Sequence, residues 1–140
     1  MSHYAVIDTN VLVSALLARR SDSAVVLVVE KVFEGSVVPV FSKDILEEYS
    51  VVLHREKFGF DPATVNSFLY EIKLHGITLE TVQKDIVLSD LKDIPFYAVT
   101  LNDKEHETFL VTGNLKHFPS KPFIVTPAQF LEIIQHSNND

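Results

Sequence analysis

Residues Val6 to Leu17 read VIDTNVLVSALL, and this stretch decides the architecture. Tyr4 to Ile7 is a short apolar, β-branched run suited to a buried strand. Asp8 follows it directly, and the spacing of Val11, Leu12, Ala15 and Leu16 predicts a helix. A strand that turns into a helix through an acidic residue sets Asp8 at the carboxyl edge of a sheet, where open α/β sheets place their sites. Asp8, Thr9 and Asn10 are also all good helix caps, so this position carries two readings.

The same alternation continues outward. Apolar, β-branched runs recur at Val37 to Phe41, Ile77 to Leu79, Thr108 to Val111 and Phe123 to Val125, separated by segments of helical spacing. From Asp61 to Gly76, an Asp-Pro start precedes an i, i+3, i+4, i+7 stripe of Val65, Phe68, Leu69 and Ile72, closed by Gly76. In TPAQFLEIIQ, Thr126 is placed as N-cap, Pro127 at the first helical position and Gln129 to complete a capping box. Strands alternating with helices imply a largely parallel sheet covered on both faces. We read residues 1–136 as one domain and 137–140 as a polar tail.

The composition narrows the chemistry. The chain has 140 residues, 46% of them apolar, enough for one compact core. It contains no cysteine, so disulfides, thiolate zinc sites and a cysteine nucleophile are excluded and any metal must use oxygen or imidazole ligands. The formal charge of -7 argues against a protein that coats nucleic acid through many lysine and arginine contacts. No apolar run reaches membrane length and the N-terminus lacks a signal-peptide pattern, so a cytosolic location is expected.

Three further regions carry candidate ligands. In SKDILEEYSVVL, Ser42 can cap a helix with an apolar stripe of Ile45, Leu46, Tyr49, Val52 and Leu53. At about 100° per residue, Glu47 points away from that stripe and Glu48 falls on its edge, where it can reach a site beside the core. In LSDLKDIPFYAVTL, Asp90 and Asp93 precede a helix that tolerates Pro95 in its first turn, and either acid can cap it. In FLVTGNLKHFP a strand ends in Thr112, Gly113 and Asn114 before a turn holding Lys116 and His117. Asp8, Glu48, Asp93 and Asn114 thus all fall at junctions of one α/β pattern, and convergent hard oxygens suit Mg²⁺ or Mn²⁺.

These four segments resemble the motifs of PIN domains, in the branch of toxin components related to VapC toxins, over nearly the whole chain. VIDTNVLVSALL is similar to the first-strand motif, placing Asp8 as its acid. SKDILEEYSVVL matches at Glu48, and DLKDIPFYAVTL at Asp93, with Asp90 as the neighbouring alternative. VTGNLKHFP departs from the usual Thr-Gly-Asp, because Asn114 offers a neutral oxygen where a charge is expected.

The resemblance implies a three-layer α/β/α domain around a central, mainly parallel five-stranded sheet. It also implies a cytoplasmic endoribonuclease in which Asp8, Glu48 and Asp93, with Asn114, hold Mg²⁺ or Mn²⁺ to hydrolyse RNA. Thr9, Asn10 and Thr112 would orient those carboxylates. Arg55 and Lys116 are the chosen phosphate contacts among Lys43, His54, Arg55, Lys57, Lys116, His117 and Lys121; His117 is given no catalytic role. A small antitoxin protein is the implied partner, and a homodimer would draw on Val26, Val29 or Phe33. Two competing readings are a PIN-fold RNA- or protein-binding module without turnover, and a phosphotransfer enzyme with Asp8 as nucleophile. The second resembles a D-x-D-x-T motif, and Asn10 stands where its second acid belongs.

Overall fold

The computed structural model describes residues 2–80, 86–88 and 90–138. Five strands form one sheet in the order β3-β2-β1-β4-β5, with β1 at His3–Ile7, β2 at Val37–Phe41, β3 at Ile77–Thr78, β4 at Thr108–Val111 and β5 at Ile124–Val125. Every neighbouring pair is parallel. The helices are α1 (Thr9–Leu17), α2 (Ala24–Glu34), α3 (Lys43–Leu53), α4 (Pro62–His75), α5 (Ile94–Asn102) and α6 (Pro127–Asn138). The expected three-layer α/β/α arrangement is what forms.

The layers follow from apolar faces that need covering. Helices α2 and α6 touch each other and lie against β2 and β4, whereas α5 contacts β1, β2 and β4 and meets α3. Central strand β1 is fully enclosed at Ala5 and Val6, as a parallel strand covered on both sides must be. The largest buried side chains include Tyr49, Phe41, Phe96 and Phe130, each stabilising the fold by about 1.5–3 kcal/mol relative to exposure.

Local signals set the element ends. The Ser42 hydroxyl accepts from the Ile45 N–H at 3.2 Å and starts α3. Thr126 and Gln129 form the reciprocal capping box of α6, the Thr126 N–H donating to Gln129 Oε1 and the Gln129 N–H to Thr126 Oγ1. Gly76 ends α4 because nothing larger fits there: a Cβ would lie 2.6 Å from the Pro39 carbonyl oxygen and 2.3 Å from the Phe41 ring. Helix α6 continues to Asn138, so the expected tail boundary falls in its last turn; Asn139 and Asp140 lie outside the described residues.

One expectation about α2 needs correction. Val29, grouped above with exposed residues available to a second copy, is buried in the core, and Val26 is half-buried. Phe33 is exposed and meets the Phe68 ring edge-on. The stripe of α2 faces both β2 and α6, so a valine that looks spare on a helical wheel is used for packing.

The topology creates the site. The chain runs outward from β1 through β2 to β3, then returns to the other side of β1 to lay down β4 and β5. The strand order therefore reverses between β1 and β4, and a crevice opens there at the carboxyl ends.

Candidate active site

Asp8 and Thr112 directly follow the two strands flanking this crevice. The Asp8 N–H bonds to the Val111 carbonyl at 2.9 Å, extending the β1–β4 ladder by one step. Asp8 occupies the N-cap position of α1, yet its carboxylate makes no capping bond. Instead Asp8 Oδ2 accepts from the Thr112 hydroxyl at 2.8 Å and from Asn10 Nδ2 at 3.3 Å. The capping reading of this carboxylate is thereby replaced: it is turned into the crevice between β1 and β4.

The turn after β4 is tied into the same network. Thr112 Oγ1 accepts from the Asn114 N–H at 3.0 Å, and Asn10 Oδ1 accepts from the Gly113 N–H at 3.2 Å. Asn114 is exposed and, with Asn10 and Ser14, lines a small cavity of about 160 Å³ on one flank of the crevice.

Glu48 arrives from α3. Its neighbour Tyr49 is buried, and the Tyr49 hydroxyl donates to the Ile7 carbonyl at the end of β1. That anchor fixes the rotation of α3, so Glu48 turns inward and accepts a hydrogen bond from the Thr9 hydroxyl. Glu47 remains exposed, as the helical wheel placed it.

Asp90 and Asp93 differ in their hydrogen bonds and burial. Asp90 is exposed and caps a 3-10 turn by accepting from the Lys92 N–H at 2.9 Å. Asp93 is 8% exposed and makes no cap bond to α5. Its Oδ2 is buried without a hydrogen-bond donor; His117 Nδ1 lies 3.2 Å away, at ion-pair distance but not aligned as a donor.

Electrostatics couple the three acids. Burial pushes the Asp8 carboxyl up to about 6, opposed by the Thr112 hydrogen bond and reinforced by the charges of Asp93 and Glu48. Burial also raises Asp93, which His117 pulls back down. Hydrogen bonds hold Asp8 to Thr112 and Glu48 to Thr9, whereas Asp93 has only the His117 ring at ion-pair distance. Consistent with this, among the described residues no group of three or more acidic or imidazole side chains stands ready-made as a metal site.

The cations divide between two flanks. Arg55 lines a cavity of about 280 Å³ with Thr9, Asn10, Glu48, Phe58 and Lys92. Lys116 lines a different one, with Leu115, Phe118 and Lys121. Sequence reading passed over Lys92, which lines the same cavity as Glu48, and gave His117, which lies beside Asp93, no catalytic role. Neither has a spacing signature, because each meets its acid only through the tertiary fold.

A family model described as PIN domain matches residues 4–116, and the chain belongs to the PIN-domain family, a nuclease-related fold. The matched region runs from within β1 to the turn after β4 and contains Asp8, Glu48, Asp93 and Asn114, while His117 lies just beyond it. No curated protein matches the chain. No helix among the described residues is long and apolar enough to cross a membrane.

Proposed function

We propose that this protein is a metal-dependent endoribonuclease that hydrolyses phosphodiester bonds in RNA, acting in the cytoplasm as the toxin of a type II toxin–antitoxin pair. The observation that carries the reading is Asp8: a buried carboxylate at the switch point of a parallel sheet, free of capping duty and raised chiefly by its burial and further by two neighbouring acids. Burying a charge beside like charges is costly, and a bound cation removes that cost.

The donor chemistry, though not a preassembled cluster, suits a hard divalent ion such as Mg²⁺ or Mn²⁺. Every candidate donor is oxygen, and among the described residues the buried Asp93 Oδ2 has no hydrogen-bond donor, with only His117 Nδ1 at 3.2 Å. Asp8, Glu48 and Asp93 would hold the ion, with Asn114 supplying a neutral oxygen. When bound, it would polarise the phosphoryl group and lower the pKa of the attacking water. Thr112 and Asn10 orient Asp8, and Thr9 orients Glu48. Arg55 and Lys92 offer charge to substrate phosphates on one flank, and Lys116 does so from the other. A small antitoxin would compete for this crevice, and the exposed face around Phe33 is available to a second copy.

A module that binds RNA or protein without turnover is the second reading, favoured by Asn114 in place of an acid and by carboxylates each tied to a separate partner. Cleavage of a mixed single-stranded RNA panel with Mg²⁺ or Mn²⁺ separates the two. Cutting by wild type that EDTA and Asp8→Asn both abolish supports the nuclease. Intact RNA at every metal concentration, with binding retained, establishes the module instead.

A further inference from the structure

The cavity beside Glu48 has a wall that the acid chemistry does not use. Helix α3 ends at Leu53 and leads into a 3-10 turn over Glu56–Phe58. The turn is held by the Phe58 N–H to the Arg55 carbonyl at 3.1 Å and the Gly59 N–H to the Glu56 carbonyl at 3.0 Å. Gly59, at φ 67°, adopts the left-handed conformation that closes the turn. Phe58 is thereby presented on a rigid support, half-buried, with its ring in the same cavity wall as Glu48, Arg55 and Lys92. Phe60 stacks behind it at 5.6 Å between ring centroids and 15° between planes, and the Lys57 ammonium lies 5.1 Å from the Phe58 centroid.

A half-buried aromatic ring with one exposed lysine over it and two further cations in the same cavity wall is an unusual use of surface in a chain of net charge -7. Neither Arg55 nor Lys92 forms an ion pair among the described residues. Cations for phosphates and a flat π-face for a base are the two requirements of a single-stranded nucleic-acid groove. A duplex keeps its bases stacked on one another and offers this ring no exposed face.

We propose that Phe58 is a nucleobase-stacking platform that, with Arg55 and Lys92, seats one unpaired nucleotide of an RNA strand beside the acidic crevice. The proposal rests on the crevice being a nucleic-acid site. Phe58 is a positioning residue: it touches a flanking base and no reacting atom.

The chain contains no tryptophan, so Phe58→Trp introduces a sole indole at the platform. The probes are a short single-stranded RNA of mixed sequence and an inorganic polyphosphate, titrated in EDTA and again with Ca²⁺. The expected result is indole emission quenched by RNA and unchanged by polyphosphate. Phe58→Leu, which keeps an apolar side chain but no π-face, should weaken RNA binding about 5- to 100-fold while leaving polyphosphate binding as in wild type. Phe58→Trp should restore RNA affinity, which a merely misfolded turn would not. RNA affinity in Phe58→Leu within about twofold of wild type, equal quenching by both probes, or no RNA binding by wild type in either condition overturns the platform. Because these titrations need no cleavage, an uncut RNA that still quenches the indole would end the nuclease assignment alone. A cut RNA indifferent to Phe58 would end the platform alone.

Discussion

The two ends of the central sheet each bury an aspartate, and they treat it in opposite ways. At the amino end, Asp103 ends α5 and is surrounded by donors: His106 Nδ1 at 3.1 and 3.2 Å, the Glu105 N–H at 3.3 Å, and the Thr108 hydroxyl at the start of β4. His106 is itself packed by the Tyr4 ring, 3.8 Å between centroids. At the carboxyl end, Asp8 has Thr112 and Asn10 as donors and two further carboxylates as electrostatic neighbours, and Asp93 leaves a buried oxygen without a donor. A satisfied buried charge fastens a loop to a sheet. An unsatisfied cluster is tolerated where a ligand completes it, and stability is given up there for function.

Mutation should separate the two ends clearly. The largest effect expected is on chemistry: Asp8→Asn lowers metal-dependent RNA cleavage by at least about 10³-fold, measured as initial rates at saturating Mg²⁺, because it removes a charged oxygen from the reacting centre. An Asp103→Ala variant assayed at a temperature where it remains folded should keep wild-type rates within about threefold. Equal losses in both would erase the distinction.

Next in size is the pH dependence of the metal-free protein. Asp8 has a folded pKa of about 6 against 3.8 when unfolded. Between these values the folded state holds more protons, so its contribution to stability is present below about pH 4 and is lost as pH rises through about 6. The loss amounts to about 3 kcal/mol, from about 1.4 kcal/mol per pKa unit. Denaturant midpoints across that range should fall in wild type relative to Asp8→Asn, and a constant difference between the two would contradict the raised carboxyl.

Stability at neutral pH should then move in opposite directions. Without metal, Asp103→Ala is expected to destabilise by about 2–3 kcal/mol, since it strips the partners from Thr108 and His106. Asp8→Asn should stabilise by about 1–3 kcal/mol by removing a crowded charge. Urea denaturation reads both, and a shared sign would show that the ends are alike. Gly76→Ala, outside both aspartate clusters, should leave chemistry unchanged and affect stability alone. There a shift of Phe41 or Pro39 should cost about 1–3 kcal/mol without altering cleavage at temperatures where the variant is folded.

Much of the fold and part of the acidic end are legible in the sequence, but Asp103 and its donors are not, since Asp103 has no motif around it. Both ends of α4 and the capping box of α6 are legible because caps and apolar periods act over a few residues. The inward turn of Glu48 is legible for the same reason, being a property of one helix face. The division of labour between Asp90 and Asp93 is not: both precede α5, and only the 3-10 turn shows that Asp90 is the cap. His117 against Asp93, and Lys92 beside Glu48, depend on which strand neighbours which, and Val29 is buried because α6 returns to cover α2. Local rules carry no information about such meetings.

The central claim is that the acidic end of the sheet is a divalent-ion site and not merely a poorly satisfied edge. Its most direct test is the thermal midpoint of wild type and Asp8→Asn at neutral pH, each with and without Mg²⁺ or Mn²⁺. The account predicts a concentration-dependent rise of several degrees in wild type, on the order of 3 kcal/mol at a hundredfold excess over Kd, and little change in Asp8→Asn. A wild-type midpoint indifferent to both ions, or an equal rise in the two proteins, would contradict it.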